Sequence, residues 1–181
     1  MMPLRLTRLL RLAPALLIAL AIGSCGPAKN QFAPACPVPG LLKPLSEIVR
    51  YRPGSVDIRD LIVRARIVDI TGTCEPGDDA NTIVAKARLV LEAQRGPAMQ
   101  GNAVAVPAFV AITEADTVLD KSLFNMAIEF PPNVDTARAA SREVRMEIPV
   151  TAQKSGAAYG IVGGFQLTPD EVAAWRHNNV R

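Results

Sequence analysis

The sequence predicts a mainly β fold, an immunoglobulin-like antiparallel β-sandwich of six or seven strands with one short C-terminal helix. Three observations predict it. Apolar residues recur at every second position in run after run between residues 61 and 167. Clusters of Gly, Pro, Asn and Asp separate the runs. No βαβ rhythm interrupts them, and the one strong helix start lies near the C-terminus. With 181 residues, 49% hydrophobic and 20% charged, the chain is long enough for one domain around one modest core. Strand starts roughly twenty residues apart exceed the usual sandwich spacing, which keeps a barrel-like closure open. Neither a core Trp between the cysteines nor a tyrosine corner can be identified.

The segments are read as 1–24, a leader; 25–54, a Pro-rich tether and lead-in; and 55–181, the sandwich with its helix. Pro27, Pro34, Pro37, Pro39, Pro44 and Pro53 suppress ladders and favour extended geometry, and SEIVRY, with Ser46 as cap, suggests a short helical turn. Leu61, Val63, Ala65 and Ile67 then share one face and Arg64 and Arg66 the other, until Val68 and Ile70 change phase, which marks a bulge or a strand that passes between sheets. Glu75 to Asn81 is turn chemistry. Ile83, Ala85, Ala87, Leu89, Leu91 and Ala93 alternate with Lys86, Arg88, Glu92 and Gln94. The composition there favours a helix, but helical spacing strands Leu89, so the period decides for a strand.

Val104, Val106, Ala108, Val110 and Ile112 alternate next, with Pro107 pointing to an edge position or a bulge. Ser122 to Phe130 is a further strand, stopped by Pro131 and Pro132. Arg142 to Val150 and Tyr159 to Leu167 complete the set, Gly163 and Gly164 marking a bulge or a close backbone approach. The lead-in adds a seventh strand if it pairs. Thr168, Pro169 and Glu171 form a capping box with Pro at the first helical position, so a helix over DEVAAWRHNN follows, with Trp175 packed on the sandwich.

The leader has a cationic start in Arg5, Arg8 and Arg11, an apolar run from Leu12 to Ile22, and small residues before Cys25. The apolar run is about half of the ~20 residues a spanning helix needs, which favours export over a retained anchor. Ile22-Gly23-Ser24-Cys25 resembles the lipobox of bacterial lipoproteins, which implies diacylglycerol on Cys25 and cleavage before it. Gly26 after the cysteine resembles the outer-membrane sorting pattern of enteric lipoproteins. That resemblance implies a lipid-anchored protein of the outer membrane that faces the periplasm. With Cys25 assigned to lipid, Cys36 and Cys74 remain as an even pair in an oxidising compartment, read as a disulfide; a metal pair or redox couple lacks CxxC spacing and a nearby His. Along the whole chain, CPVPGLL, YRPG, RGPA, FPPNVD and GFQLTP are similar to segments of uncharacterised small alphaproteobacterial envelope lipoproteins, a resemblance that brings no activity with it.

Without residues 1–24 the chain holds 17 Lys+Arg against 17 Asp+Glu, which argues against a nucleic-acid partner bound through phosphates. The only His, His177, lies four residues from the C-terminus, outside any triad arrangement. Glu75, Asp78, Asp79 and Asn81 offer hard oxygen donors for Ca²⁺, but a polar hairpin explains them as well. Arg64 with Arg66, and Lys86 with Arg88, build a basic stripe if their strands are adjacent, or simply the wet face of a sheet. No phosphate loop, zinc spacing or dinucleotide fingerprint is present, and eight aromatics are poor material for a sugar cleft. The expectation is a non-enzymatic module without catalytic residues, metal or cofactor, tethered to the membrane. It holds another envelope protein as a scaffold or assembly accessory, through a sheet edge or the sandwich face. The alternative is a binding module for a small apolar ligand or lipid, seated between the sheets beside Ala85, Ala87, Ala108 and Ala111.

Overall fold

The computed structural model describes residues 36–179; the leader, Cys25 and the tether as far as residue 35 lie outside the described residues. Strands β1 (Val38–Leu41), β2 (Glu47–Tyr51), β3 (Leu61–Pro76), β4 (Thr82–Arg95), β5 (Ala103–Glu114), β6 (Thr117–Glu129), β7 (Thr136–Ala140), β8 (Val144–Pro149) and β9 (Gly160–Phe165) precede one helix, α1 (Pro169–Asn179). They form two sheets. The first has the order β1-β9-β5-β6; in the second, β2-β3-β4 continues into β7 and β8, which share the far side of β4. β8 pairs with the first half of β4 and β7 with the second, so the two short strands together cover one long one.

The alternation seen in the sequence is the burial pattern of this sandwich. Val63, Ala65 and Ile67 of β3, the odd-numbered residues from Ile83 to Ala93 of β4, and Val106, Ala108, Val110 and Ile112 of β5 meet Met126, Ile128, Val144, Met146, Ile148 and Phe165 in one core. Each fully buried Leu, Ile, Val or Phe there contributes about 1.5–3 kcal/mol. The phase change in β3 is a bulge: Ile67 pairs with Leu91 and Asp69 with Val90, leaving Val68 without an opposite residue. The register then places Cys74 opposite Ala85. Cys74 is bonded to Cys36, with Cα atoms 6.0 Å apart. Since Cys36 lies two residues ahead of β1 in the first sheet and Cys74 lies in β3 of the second, this disulfide ties the entry to one sheet onto the other.

Gly163 and Gly164 mark close approach. A Cβ on Gly163 would lie 2.5 Å from Leu89 Cδ2 in the core, and one on Gly164 2.9 Å from both Leu45 Cβ and Phe109 Cε1 on the outer face. The capping box forms as expected: Thr168 N donates to Glu171 Oε2 at 2.7 Å, and Glu171 N to Thr168 Oγ1 at 3.3 Å. The other carboxylate oxygen of Glu171 pairs with Arg50 Nε at 3.3 Å, which docks the helix start on β2.

Several expectations are corrected. SEIVRY is not helical: a 3₁₀ turn occupies Lys43–Leu45 and Glu47–Tyr51 is strand β2, because pairing with Ala65 at Ile48 buries an isoleucine that an isolated turn would leave wet. The lead-in thus supplies two strands, not one, and the sandwich begins ahead of residue 55. The sandwich is not wholly antiparallel, since β1 runs parallel to β9. Pro107 lies on the interior strand β5 rather than on an edge strand. Its carbonyl accepts Gln166 N at 2.9 Å, and in a pleated strand the missing N–H points to the same side, where β9 has already ended at Phe165. The ladder therefore loses no donor. β6 begins at Thr117, five residues earlier than expected, after a two-residue turn at Ala115 and Asp116 in which Ala115 adopts φ 48°. Strand β7 was not anticipated.

Candidate binding groove on the outer face of the second sheet

The outward residues of β2, β3, β4 and β7 form two adjacent cross-strand rows. The register places Glu47 opposite Arg66, Arg66 opposite Glu92 and Glu92 opposite Arg138. One row along, Val49 faces Arg64, Arg64 faces Gln94 and Gln94 faces Thr136. Between the rows Ala65, Ala93 and Ala137 turn their side chains to the core, so that only backbone rises between the flanking charged groups. The result is an open groove of about 760 Å³ lined by Glu47, Arg64, Arg66, Glu92, Gln94, Thr136 and Arg138 over that alanine floor.

Electrostatics within the groove are loosely satisfied. Glu92 sits between two guanidiniums, 4.0 Å from Arg66 Nη2 and 4.0 Å from Arg138 Nη1. Distances at that limit between half-exposed groups make pairs worth little in stability. Among the described residues Arg64 makes neither an ion pair nor a hydrogen bond through its side chain. Three guanidiniums against two carboxylates, with an amide and a hydroxyl alongside, form a surface that accepts carboxylates in the fork geometry that arginine provides.

The predicted basic residues share this sheet face, but the register breaks the stripe. Lys86 pairs with Glu75 at 2.6 Å, which Arg145 also approaches at 3.4 Å, and Arg88 pairs with Glu143 at 3.4 Å. Among the described residues the Arg64 end of this face stays short of acid. The turn residues behave as a polar hairpin: Asp79 Oδ1 accepts Asn81 N at 3.1 Å and Thr82 Oγ1 at 2.9 Å, while Glu75 is held by its two cations. Among the described residues no group of three or more His, Cys, Asp or Glu is placed to hold a metal ion. No described helix is long and apolar enough to cross a membrane. The side chain of His177 lies outside the described residues, as does Cys25. Trp175 is half-buried. Of the four alanines proposed to flank an interior ligand, Ala85, Ala87 and Ala108 lie in the core between the sheets, packed in one cluster with Leu89, Ile112 and Phe165. Ala111 points the other way, to the outer face of the first sheet beside Phe109, because inward positions on β5 are the even ones.

Arg138, Thr136 and Glu47 were missed as groove residues because β2 and β7 were not read as strands. The TARAA alternation was the available signal, faint because alanine carries little apolar contrast. No protein family, curated protein or solved structure matches this chain.

Proposed function

We propose that the protein is a non-enzymatic envelope lipoprotein, tethered through lipid on Cys25, that holds another protein by an acidic segment laid across the outer face of the second sheet. The observation that carries the reading is Arg64, a guanidinium without a side-chain partner among the described residues, beside Arg66 and Arg138 in the same groove. A groove this open and this polar suits side chains that arrive with their own carboxylates better than it suits a buried apolar ligand. Glu92 acts as an internal placeholder: a partner carboxylate that reaches Arg66 and Arg138 takes over contacts that Glu92 makes only at 4.0 Å. The tether and lead-in, with Pro27, Pro34 and Pro37, set the module off the membrane and fit a holding role. The similarity to small alphaproteobacterial envelope lipoproteins and Gly26 after the cysteine support an outer-membrane, periplasm-facing location.

The test is crosslinking in the native envelope, read by mass spectrometry, on the full chain and on Cys25→Ser, Arg64→Glu and Glu92→Gln forms. One abundant partner is expected that is lost in Cys25→Ser and in Arg64→Glu and recovered in higher yield with Glu92→Gln. A partner retained by Arg64→Glu refutes the groove. A chain that lacks lipid and releases from membranes in its wild-type form refutes the tether.

A further inference from the structure

The first sheet ends in two edge strands, β1 and β6, and the backbone polarity of β6 follows from contacts already described. Gln166 N donates to the Pro107 carbonyl, so Pro107, Phe109 and Ala111 of β5 direct their backbone groups toward β9. By alternation, Val106, Ala108, Val110 and Ile112 direct theirs toward β6, where they face Met126, Phe124, Ser122 and Asp120. The intervening residues Lys121, Leu123, Asn125, Ala127 and Glu129 therefore turn their N–H and C=O groups away from β5. No other described strand pairs with β6. One donor on this edge is closed locally, Lys121 N bonding Asp120 Oδ1 at 2.7 Å, as expected if residue 121 faces outward.

The regular stretch of this edge is bounded on both sides. Ile112 pairs with Asp120 and Thr113 with Val118, so Leu119 is bulged out of the ladder; at the other end the strand stops at Glu129, before Pro131. The midpoint of the stretch is Asn125. Antiparallel pairing of two copies about a two-fold axis at Asn125 sets Asn125 opposite itself, Leu123 opposite Ala127, and Lys121 opposite Glu129, the last two contacts each occurring twice. A two-fold axis at Leu123 would bring the Leu119 bulge into the ladder, and one at Ala127 would set Leu123 against Pro131. Only the Asn125 axis uses all five outward residues and brings together two opposite charges.

Among the described residues neither Lys121 nor Glu129 forms an ion pair. The Lys121 ammonium is oriented by Gln166 Oε1 at 2.7 Å and lies 4.2 Å from the centroid of the Phe109 ring, leaving further N–H donors for an opposing carboxylate. Leu123, 58% exposed in mid-strand, is an apolar residue that an edge facing only water does not need. We infer that β6 pairs with β6 of a second copy of this chain, joining two four-stranded sheets into one eight-stranded sheet. This interface lies on the sheet opposite the arginine groove, and it stands or falls independently of that reading.

The test is made in the native envelope on the full chain. Asn125→Cys places a thiol on the two-fold axis, where mild oxidation or a short bismaleimide yields a covalent dimer that wild type does not give. Adding Lys121→Glu sets two like-charge pairs across the axis and is expected to lower the dimer yield by roughly an order of magnitude. Adding both Lys121→Glu and Glu129→Lys restores complementarity and the yield. A dimer yield indifferent to these charges overturns the register. A monomeric mass for the detergent-solubilised wild-type protein, or crosslinking of Asn125→Cys to a different protein, overturns self-pairing.

Discussion

Replacing Gly163 by alanine tests whether the packing between the sheets, rather than backbone freedom, demands a glycine. A Cβ at residue 163 would lie 2.5 Å from Leu89 Cδ2, against 3.5 Å from Ile70 Cδ1 and 3.6 Å from Leu41 Cδ2. The last two are ordinary contacts, so one methyl group is the obstacle. Leu89 is fully buried, and moving its tip by about 1 Å disturbs a packed core, a change that ordinarily costs about 1–3 kcal/mol. Alanine returns about 0.5–1 kcal/mol by restricting the unfolded chain and favouring extended backbone. Gly163→Ala is therefore expected to destabilise by about 1–2 kcal/mol. Leu89→Ala alone leaves a cavity and costs about 2–5 kcal/mol. In the Leu89→Ala background the new methyl enters that cavity, so Gly163→Ala becomes neutral or stabilising, and the two changes couple by about 1–2 kcal/mol. Urea unfolding of the four proteins, with m-values compared to establish a common unfolded state, measures the cycle. If Gly163→Ala costs more than about 1 kcal/mol even without Leu89, the steric reasoning fails and the glycine is required by its backbone.

Ser141→Ala is expected to destabilise by about 1–3 kcal/mol, because Ser141 Oγ, in a residue 6% exposed, accepts Leu89 N at 3.0 Å and donates to the Arg142 carbonyl at 2.7 Å; thermal unfolding checks this, and an unchanged midpoint would refute it. The Cys36→Ala, Cys74→Ala double variant removes a cross-link with a sequence separation of 38 and should lose about 4 kcal/mol on the chain-entropy argument, with β1 amides exchanging with solvent before those of β5. Hydrogen exchange that finds β1 as protected as β5 in that variant would show that pairing with β9, not the disulfide, holds the edge. The hydrogen bond to Glu114, and secondarily that to Tyr159, raises the Lys154 pKa above its ordinary value of 10.5. A group with a raised folded pKa contributes its full stabilisation below the unfolded value and loses it as pH rises through the folded one. The stability difference between wild type and Lys154→Met should thus hold steady up to about pH 10 and shrink above 10.5, as followed by denaturant unfolding across that range. A difference that grows with pH would contradict the assignment.

Local chemistry carried much of this fold into the sequence. The strand between Ile83 and Ala93 is written in helix formers, yet its period of two prevailed, because a buried sheet face rewards position over propensity. The Thr168–Glu171 cap needs only three residues of separation and forms as read. Cysteine parity identified Cys36 and Cys74 without any knowledge of their distance. Long-range pairing decided the rest. Glu47–Tyr51 is a strand only because β3 lies beside it, and Pro107 is tolerated on an interior strand only because β9 stops short of it.

The groove shows the same division. Arg64 and Arg66 were visible as outward residues, but their surroundings depend on register, which a single strand does not encode. Sliding one strand by two residues would keep every core contact type and move Glu92 away from Arg66 and Arg138. What the sequence determined by itself is which side of each strand is dry and where each run stops, since hydrophobic burial, turn preference and capping act over a few neighbours. What only the tertiary structure decided is which charges meet across strands, and that Arg64 meets none among the described residues. Those meetings join residues 47, 66, 92 and 138 through sheet registers that the bulge at Val68 and the close fit of Gly163 against Leu89 help to set.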